Sequence, residues 1–414
     1  MDQENFRPYT STSDVSIVFF SYYKFKPGYM EQVLENVFSK EIGGFCRVIF
    51  LLQTDIRLKR NYKWNNAEVW PTPGVTSLGY LGKLLSMVLS LNKFIQFFRI
   101  LLGERYVIAF VRDQPVVGAF LGFFATRLGY RYFFQYSAPL GEMRLASCKG
   151  RKKIRNYLNG FSGILHQFFL GFALKKAEIV FPITESFGHQ LVQKYGVLNC
   201  IPLTMGVDGD WLKRRPRRLQ QFDDLTRESF VIGYFGTLNL LRKPDFMIRV
   251  LQVVKRSVPE CKLLVMGEFA YPEDKEKLLA ICADLGVERD VIFVGNLDKE
   301  SLQDHLQYCS LTLSAIPPVA YYSISSPTKI YESLAHGIPV VANSGIFEQE
   351  KVLKESGGGL LAEYDVNLFA EAVIKLYQEP EKRISMGKRG SEYVLKHYSY
   401  SEIARMIAPY FFNK

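Results

Sequence analysis

The sequence predicts an α/β protein of two domains, each built on a parallel sheet covered by helices. The first observation is that apolar strands alternate with stretches of helical periodicity along the chain, a pattern typical of parallel sheets with covering helices. The second is length. The chain has 414 residues, 48% of them hydrophobic, which is more than one compact core usually organises. We expect an N-terminal domain over residues 1–212, a linker over 213–229, a second domain over 230–397, and a last helix over 398–414 that crosses back to the first domain.

The first domain shows six candidate strands. Each is a short apolar run, and they lie at residues 15–20, 46–52, 106–111, 131–136, 178–183 and 200–204. Residues 30–40 have helical spacing. No GxGxxG motif follows the first strand, so the sequence does not indicate a dinucleotide cofactor.

Charge is divided unevenly between the two halves. Residues 1–213 contain 26 Lys and Arg against 15 Asp and Glu, whereas residues 214–414 contain 26 of each class. The whole net charge of +11 therefore lies in the first half. We expect that half to meet an anionic surface or substrate, such as acidic lipid headgroups or a lipid-linked diphosphate.

Two apolar stripes in the first half are flanked by cations, as in helices that lie on a membrane surface. Packing on the sheet is the alternative for each stripe taken alone, and the charge asymmetry favours a membrane-facing patch. The stripes consist of Leu84, Val88, Leu91, Ile95, Phe98 and Leu102, and of Phe161, Ile164, Leu165, Phe168, Phe169 and Phe172.

The six cysteines are scattered without a CxxC pair, which indicates neither a disulfide framework nor a zinc site. The polar start of the chain does not resemble a signal peptide, and no segment is apolar enough for a good transmembrane helix. We therefore expect a cytoplasmic protein that associates peripherally with the inner face of the cell membrane.

The second domain opens with an apolar strand that ends at Gly236 and Thr237. Glycine lets the backbone approach a ligand closely. Arg242 and Lys243 follow shortly, before the next helix. Two cations above the carboxyl end of a strand are well placed to neutralise a diphosphate.

Residues 325–343 predict a loop, a helix and a buried strand. Pro327 suits the start of a helix, and the free N–H groups from Ser326 and Thr328 onward form an anion site to which Lys329 adds a cation. Glu332 lies one turn further along, where its carboxylate can accept two hydrogen bonds from a vicinal diol. A sugar nucleotide would satisfy both features.

This stretch resembles the donor-site signature of family 4 glycosyltransferases, which have the GT-B fold of two Rossmann-like domains whose parallel sheets face a central cleft. The matching residues are Ser326, Pro327, Thr328, Lys329, Glu332, Ala335, Gly337, Pro339, Val340 and Val341. The resemblance covers 230–400 closely and 1–229 in outline. It implies a retaining transferase that acts on a lipid-linked or growing glycan acceptor, in polysaccharide or lipopolysaccharide assembly.

The chain departs from the family pattern at three places. The first glutamate of the signature, which contacts the donor sugar in the family, is replaced by Ile324. Thr237 replaces an arginine in the first phosphate-binding loop. Ser137 and Ala138 occupy the positions near which the family commonly has a histidine.

By this resemblance we expect Arg242 and Lys243 to be catalytic, through stabilisation of the leaving diphosphate. We expect the donor to be bound by Gly236, Thr237, Ser326, Pro327, Thr328, Lys329 and Glu332. No metal and no cofactor beyond a UDP- or GDP-linked donor is expected. The Asp208-Gly209-Asp210 triplet, which spells a DxD metal motif of another transferase fold, is expected to be a turn.

Three alternatives stay open. One is a catalytically silent partner that binds a sugar nucleotide, which Ile324 and the missing histidine favour. The second is a sugar-nucleotide epimerase of similar fold. The third is a nucleic-acid-binding protein, which the basic half suggests but no nucleic-acid-binding motif supports, so we expect no nucleic-acid partner.

Overall fold

The computed structural model describes residues 14–24, 31–55, 60–74, 92–143, 154–223, 225, 229–269 and 271–412. It divides the chain into two compact units. Unit 1 comprises 1–204 together with 400–414, and unit 2 comprises 205–399.

Unit 1 is built on a seven-stranded sheet in the order β3-β4-β2-β1-β5-β6-β7. All neighbours in this sheet are parallel except β3 and β4. Its strands are β1 (Val15–Lys24), β2 (Arg47–Asp55), β3 (Tyr62–Trp64), β4 (Ala67–Gly74), β5 (Tyr106–Arg112), β6 (Arg131–Tyr136) and β7 (Ile179–Pro182). Its α-helices are α1 (92–103), α2 (Pro115–Leu128), α3 (Ile154–Lys176), α4 (Glu185–Tyr195) and the last helix of the chain (Tyr400–Phe412).

The core of unit 1 is aromatic. Phe19, Phe38, Phe110 and Phe181 are fully buried, and Phe411 of the last helix stacks on Phe181 with ring centres 5.9 Å apart. The last helix therefore completes the core of unit 1, although 195 residues of unit 2 separate it from the rest of that unit in sequence.

Unit 2 has a six-stranded, all-parallel sheet in the order β10-β9-β8-β11-β12-β13. Its strands are β8 (Phe230–Phe235), β9 (Cys261–Met266), β10 (Val291–Gly295), β11 (Leu311–Ser314), β12 (Val340–Asn343) and β13 (Gly359–Ala362). Its helices are α5 (Asp245–Val254), α6 (Pro272–Asp284), α7 (Lys299–Leu306), α8 (Ala320–Ser323), α9 (Thr328–Ala335), α10 (Phe347–Ser356), α11 (Val366–Gln378) and α12 (Pro380–Tyr398); the last helix of the chain is α13.

Two expectations about local structure need correction, and one element of the sheet was not expected. The sixth strand, expected at 200–204, is not a regular strand. It forms one parallel bridge, from Cys200 to Val180, and runs beside β7, where the N–H groups of Ile201 and Leu203 donate to the carbonyls of Val180 and Pro182. The hairpin of β3 and β4 was not expected, because β3 has three residues and β4 contains prolines. The helix expected over 30–40 is a π-helix at Val33–Glu41.

The segment expected as a linker, 213–229, belongs to unit 2. Arg214 donates two hydrogen bonds to Asp304 of α7, at 2.6 and 3.0 Å, and the backbone N–H of Arg217 donates to the same carboxylate. The N–H of Leu219 donates to the Tyr308 hydroxyl. The acceptors, Asp304 and Tyr308, are buried and lie far from this segment in sequence. The composition of 213–229 alone therefore suggested a linker.

The stripe on α3 faces mostly outward from Ile164 to Phe172, and the side chain of Phe161 lies outside the described residues. Phe168 is 74% exposed and Ile164 60% exposed, whereas Leu170, Ala173 and Leu174 of the same helix are buried. In the other stripe, Leu84, Val88 and Leu91 lie outside the described residues, and Leu102 is exposed. Within the part of the chain that the structure describes, no helix is both long and apolar enough to cross a membrane.

Candidate functional site

The candidate site lies at the centre of the unit 2 sheet. From the centre of the sheet, β8, β9 and β10 follow one another toward one edge, and β11, β12 and β13 toward the other. The connections that follow β8 and β11 therefore run toward opposite edges of the sheet. Open parallel sheets bind ligands outside the carboxyl ends of the strands at such a reversal. A cavity of about 180 Å³ lies there, and its walls come from β8, the loop after β11 and the start of α9.

The start of α9 forms one wall of the cavity. Ser326, Pro327, Thr328 and Lys329 all line it. The cap residue of α9 is Pro327, whose side chain forms no capping hydrogen bond. The N–H of Ile330 donates to the Pro327 carbonyl, whereas the N–H groups of Thr328 and Lys329 have no side-chain acceptor among the described residues. The positive end of the helix dipole and these N–H groups therefore face the cavity, an arrangement that favours an anion.

Lys329 places its ammonium group beside this helix end. Its side chain is largely buried, and Nζ lies 4.1 Å from the centre of the Tyr234 ring, which also lines the cavity. Gly236 lies next to it, since a Cβ there would be in ordinary van der Waals contact with Nζ, at 3.9 Å. Gly236 also has a φ of +124°, which only glycine adopts readily.

Arg242 supplies the second cation of the cavity. It ends a short 3₁₀ helix, Leu240–Arg242, and its guanidinium lies 5.9 Å from the centre of the Tyr322 ring. Lys243 and Thr237 are exposed and do not line the cavity. Lys243 has a φ of +48°, a left-handed conformation that costs a non-glycine residue on the order of 1 kcal/mol.

A buried hydrogen-bond chain fixes the start of α9. Tyr331 donates to Glu348 Oε1 at 3.0 Å, so the Ser326 hydroxyl, 3.0 Å from the Tyr331 oxygen, must be the donor in that pair. Ser326 in turn accepts from the N–H of Met205. Burial raises the pKa of Tyr331 well above its usual value, so the phenol stays protonated.

Glu332 is on α9 one turn beyond Lys329. It is buried, 7% exposed, and does not line the cavity. Ile324, which stands where the signature has its first glutamate, is also buried, and it caps the end of α8.

Sequence reasoning missed the residues that shape the far wall. The side-chain amide oxygen of Asn343 accepts from the N–H of Ile316, a cavity residue. Gln349 donates to the carbonyl of Asn343 and accepts from Ser314. All three polar side chains are fully buried, and only the folded sheet brings them together. Tyr234 was missed because its position in an apolar strand looks like core.

The Asp208-Gly209-Asp210 triplet is a turn, as expected. The N–H of Asp210 donates to Asp208, and each carboxylate pairs with a lysine: Asp208 with Lys299 at 2.9 Å and Asp210 with Lys213 at 2.6 Å. Among the residues that the structure describes, no group of three or more His, Cys, Asp and Glu has a metal-binding arrangement.

Unit 1 has a partly buried ionic cluster at the carboxyl ends of β5 and β6. Asp113 accepts from the N–H and the hydroxyl of Ser137, and Arg112 pairs with Glu31 at 2.5 Å. Burial raises the pKa of Asp113, while Arg112 and Ser137 oppose that rise. Asp113 has a φ of +55°, and strained backbone of this kind is concentrated at functional sites. The sequence signal was an Arg-Asp pair directly after a buried strand.

The second unit matches a known family. Residues 217–393 match the model of the family described as "Glycosyl transferases group 1". A GDP-mannose-dependent alpha-(1-6)-phosphatidylinositol monomannoside mannosyltransferase of Mycolicibacterium smegmatis is 28% identical over 160 residues, which are 38% of this chain and 41% of that protein. The chain spans about half the length, or less, of the curated relatives it matches.

Solved structures with the same fold align over nearly the whole chain. WaaG, a glycosyltransferase involved in lipopolysaccharide biosynthesis, superposes with a TM-score of 0.67 at 14% identity, covering 97% of this chain and all of that one. Anabaena HepE in complex with UDP and glucose superposes with a TM-score of 0.65 at 14% identity, covering 95% and 98%. The predicted GT-B fold is thus confirmed, and residues 217–393 of the chain match the glycosyl transferases group 1 model.

Proposed function

We propose that the protein is a glycosyltransferase that moves a sugar from a UDP- or GDP-linked donor to a lipid-linked or growing glycan acceptor. The observation that carries the proposal is the cavity at the centre of the unit 2 sheet, where an uncapped helix end, Arg242 and Lys329 converge. The match of this unit to glycosyl transferases group 1 supports it.

The diphosphate of the donor would bind at the start of α9. Thr328 and Lys329 would offer N–H groups to the phosphates, with the Lys329 ammonium beside them. Arg242 and Lys243 would neutralise the charge that develops on the leaving phosphate, and no metal ligand is needed for this. A well-placed donor in such a site lowers a barrier by about 3 kcal/mol.

In this reaction the bond from the anomeric carbon to the β-phosphate oxygen breaks, and a bond from that carbon to an acceptor hydroxyl oxygen forms. The hydroxyl proton passes to the departing phosphate. We infer retention of configuration from the resemblance to family 4 glycosyltransferases, in which the acceptor attacks the face from which the phosphate leaves. This route requires no separate protein base. Glu332 would hold the ribose, and Gly236 and Thr237 would border the donor.

Unit 1 would bind the acceptor at a membrane surface. Residues 1–213, which include most of unit 1, carry the whole excess of Lys and Arg over Asp and Glu. Helix α3 exposes three apolar side chains next to two lysines: Ile164, Phe168 and Phe172 beside Lys175 and Lys176. Exposed aromatic side chains beside cations suit an interface with acidic lipid.

A thermal-shift panel of UDP, GDP, ADP and CMP tests the donor site. A ligand at one hundred times its dissociation constant stabilises the folded state by about 2.7 kcal/mol. We expect one nucleoside diphosphate to raise the Tm and Glu332→Ala to remove that shift. If no nucleotide raises the Tm of the wild type, the donor-site proposal fails.

The sugar nucleotide that binds is then supplied with a labelled sugar. Transfer of that label to membrane lipid distinguishes an enzyme from a silent binder. Consumption of the donor without any acceptor would instead indicate an epimerase. The silent partner remains the second candidate because Ile324 leaves no carboxylate where the signature has its first glutamate.

A further inference from the structure

Unit 1 contains a second, larger cavity that the transfer reaction does not use. Its volume is about 430 Å³, within the range of about 300–1,000 Å³ common for small-molecule sites. Arg47 opens β2, Gly103 ends α1, and Glu104 lies two residues before β5. The cavity therefore lies at the amino ends of these strands, the sheet edge opposite to the Asp113 cluster.

One wall of this cavity is a rigid ionic network. Arg47 donates two hydrogen bonds to Glu68, at 2.8 and 3.1 Å, and one to Glu104 at 2.5 Å. The indole N–H of Trp70 donates to Glu68, and the Ser16 hydroxyl donates to Glu104. These bonds hold the half-buried Trp70 ring in the cavity wall, where it is already oriented.

The other wall of the cavity belongs to α1 and contains polar groups that can still form hydrogen bonds. The amide oxygen of Gln96 is buried and has no hydrogen-bond partner among the residues that the structure describes. Arg99 is exposed and makes no ion pair within that same part of the chain. A buried acceptor without a partner is rare in folded proteins, which points to a ligand or an ordered water.

We propose that this cavity binds a saccharide ring. The C–H face of a pyranose stacks on an indole, and its hydroxyls both donate and accept, so they would satisfy the Gln96 oxygen, the Arg99 guanidinium and the Asn61 amide together. A diphosphate is disfavoured because two carboxylates already neutralise Arg47, which leaves Arg99 as the cation available. An acyl chain is disfavoured because Trp70 and Ile100 are the main apolar groups among the lining residues.

The saccharide site is separate from the donor cavity, which is lined only by residues of unit 2. It would hold a glycan on unit 1. Its existence does not depend on which sugar the protein transfers, or on whether it transfers one at all.

Calorimetric titration of the full chain with maltotriose, α-1,6-mannotriose, chitotriose and a hyaluronan tetrasaccharide tests this proposal. Gly103 is the position for a blocking variant, because a Cβ there meets no atom within 4 Å. We expect saturable binding of at least one oligosaccharide, weakened at least tenfold by Gly103→Phe and also weakened by Gln96→Leu. Tryptophan emission should change on binding.

Gly209→Phe is the matched control, since Gly209 also faces open space but belongs to unit 2. It should bind the oligosaccharide as the wild type does, and all three variants should keep the wild-type Tm. The proposal is overturned if no oligosaccharide binds, if Gly103→Phe binds as well as the wild type, or if inorganic sulfate alone binds. The nucleotide thermal shift is measured separately, so failure here leaves the donor site unaffected.

Discussion

The ammonium of Lys329 lies 4.1 Å from the centre of the Tyr234 ring, at the edge of the unit 2 cavity. A cation over an aromatic face is stabilised by the quadrupole of the ring. The contact joins the first residues of α9 to the end of β8, two elements that meet only because the sheet order places β8 beside β11. It holds the lysine where a phosphate would bind.

Lys329→Met should weaken binding of the nucleoside diphosphate roughly 10- to 100-fold, because a hydrogen bond to a charged group contributes about 1.5–3 kcal/mol. Methionine keeps an apolar stem over Tyr234, so stability should change little. Calorimetric titration measures the affinity. Lys388→Met, at an exposed lysine of α12, should bind as the wild type does, and equal affinity for both variants would contradict the role of Lys329.

Tyr331→Phe should lower the free energy of unfolding by about 1–3 kcal/mol, because it leaves the buried Glu348 carboxylate and the Ser326 hydroxyl each short of one partner. Urea unfolding measures the change. The control is Tyr377→Phe, which removes an exposed Tyr–Glu hydrogen bond to Glu260 and should cost less than about 1 kcal/mol. Equal losses of unfolding free energy in the two variants would show that the buried hydrogen-bond chain does not contribute to stability.

Lys93 should make stability depend on pH. It is 4% exposed and donates to the carbonyl of Ser21 at 3.1 Å, and burial lowers its pKa from 10.5 to about 8. Between pH 8 and 10.5 the unfolded chain therefore binds more protons at this site than the folded one, so the free energy of unfolding rises with pH over that window.

Over this pH window the free energy of unfolding of the wild type should rise by about 3 kcal/mol relative to that of Lys93→Met, which cannot titrate at this position. Urea unfolding of both proteins at pH 7.5, 9 and 10.5 measures the difference and cancels the contribution of other groups. A difference that stays constant with pH would mean that Lys93 titrates normally.

Phe168→Gln should reduce binding to vesicles that contain acidic lipid roughly tenfold or more, because a fully buried phenylalanine side chain contributes about 1.5–3 kcal/mol. The Phe168 side chain is 74% exposed, so it is available to insert into the lipid surface. Co-sedimentation with acidic and with neutral vesicles measures binding, which should weaken as salt rises. Ile384→Gln, at a 69% exposed position of unit 2, is the control. Loss of binding in both variants, or in neither, would contradict a docking face on α3.

The residues that line the unit 2 cavity show how much of a candidate site a sequence pattern can predict. Ser326 to Lys329 and Arg242 could be predicted because a helix start and a strand end are local features, and they line one cavity. Glu332 is buried on α9 and lies outside the lining of that cavity, so its contact with the ribose stays a prediction. The direction of a side chain depends on how α9 packs, which its spacing does not reveal.

The sequence by itself determined the fold class, most strand positions, the last helix and the helix end that suits a phosphate. Those depend on periodicity and on local chemistry such as Pro327 and Gly337. Tertiary structure decided which distant residues meet: Tyr234 with Lys329, Asn343 with Ile316, Asp113 with Ser137, and Arg47 with Glu68 and Glu104. Such contacts follow from strand order and register, because parallel sheets join residues that lie far apart in sequence.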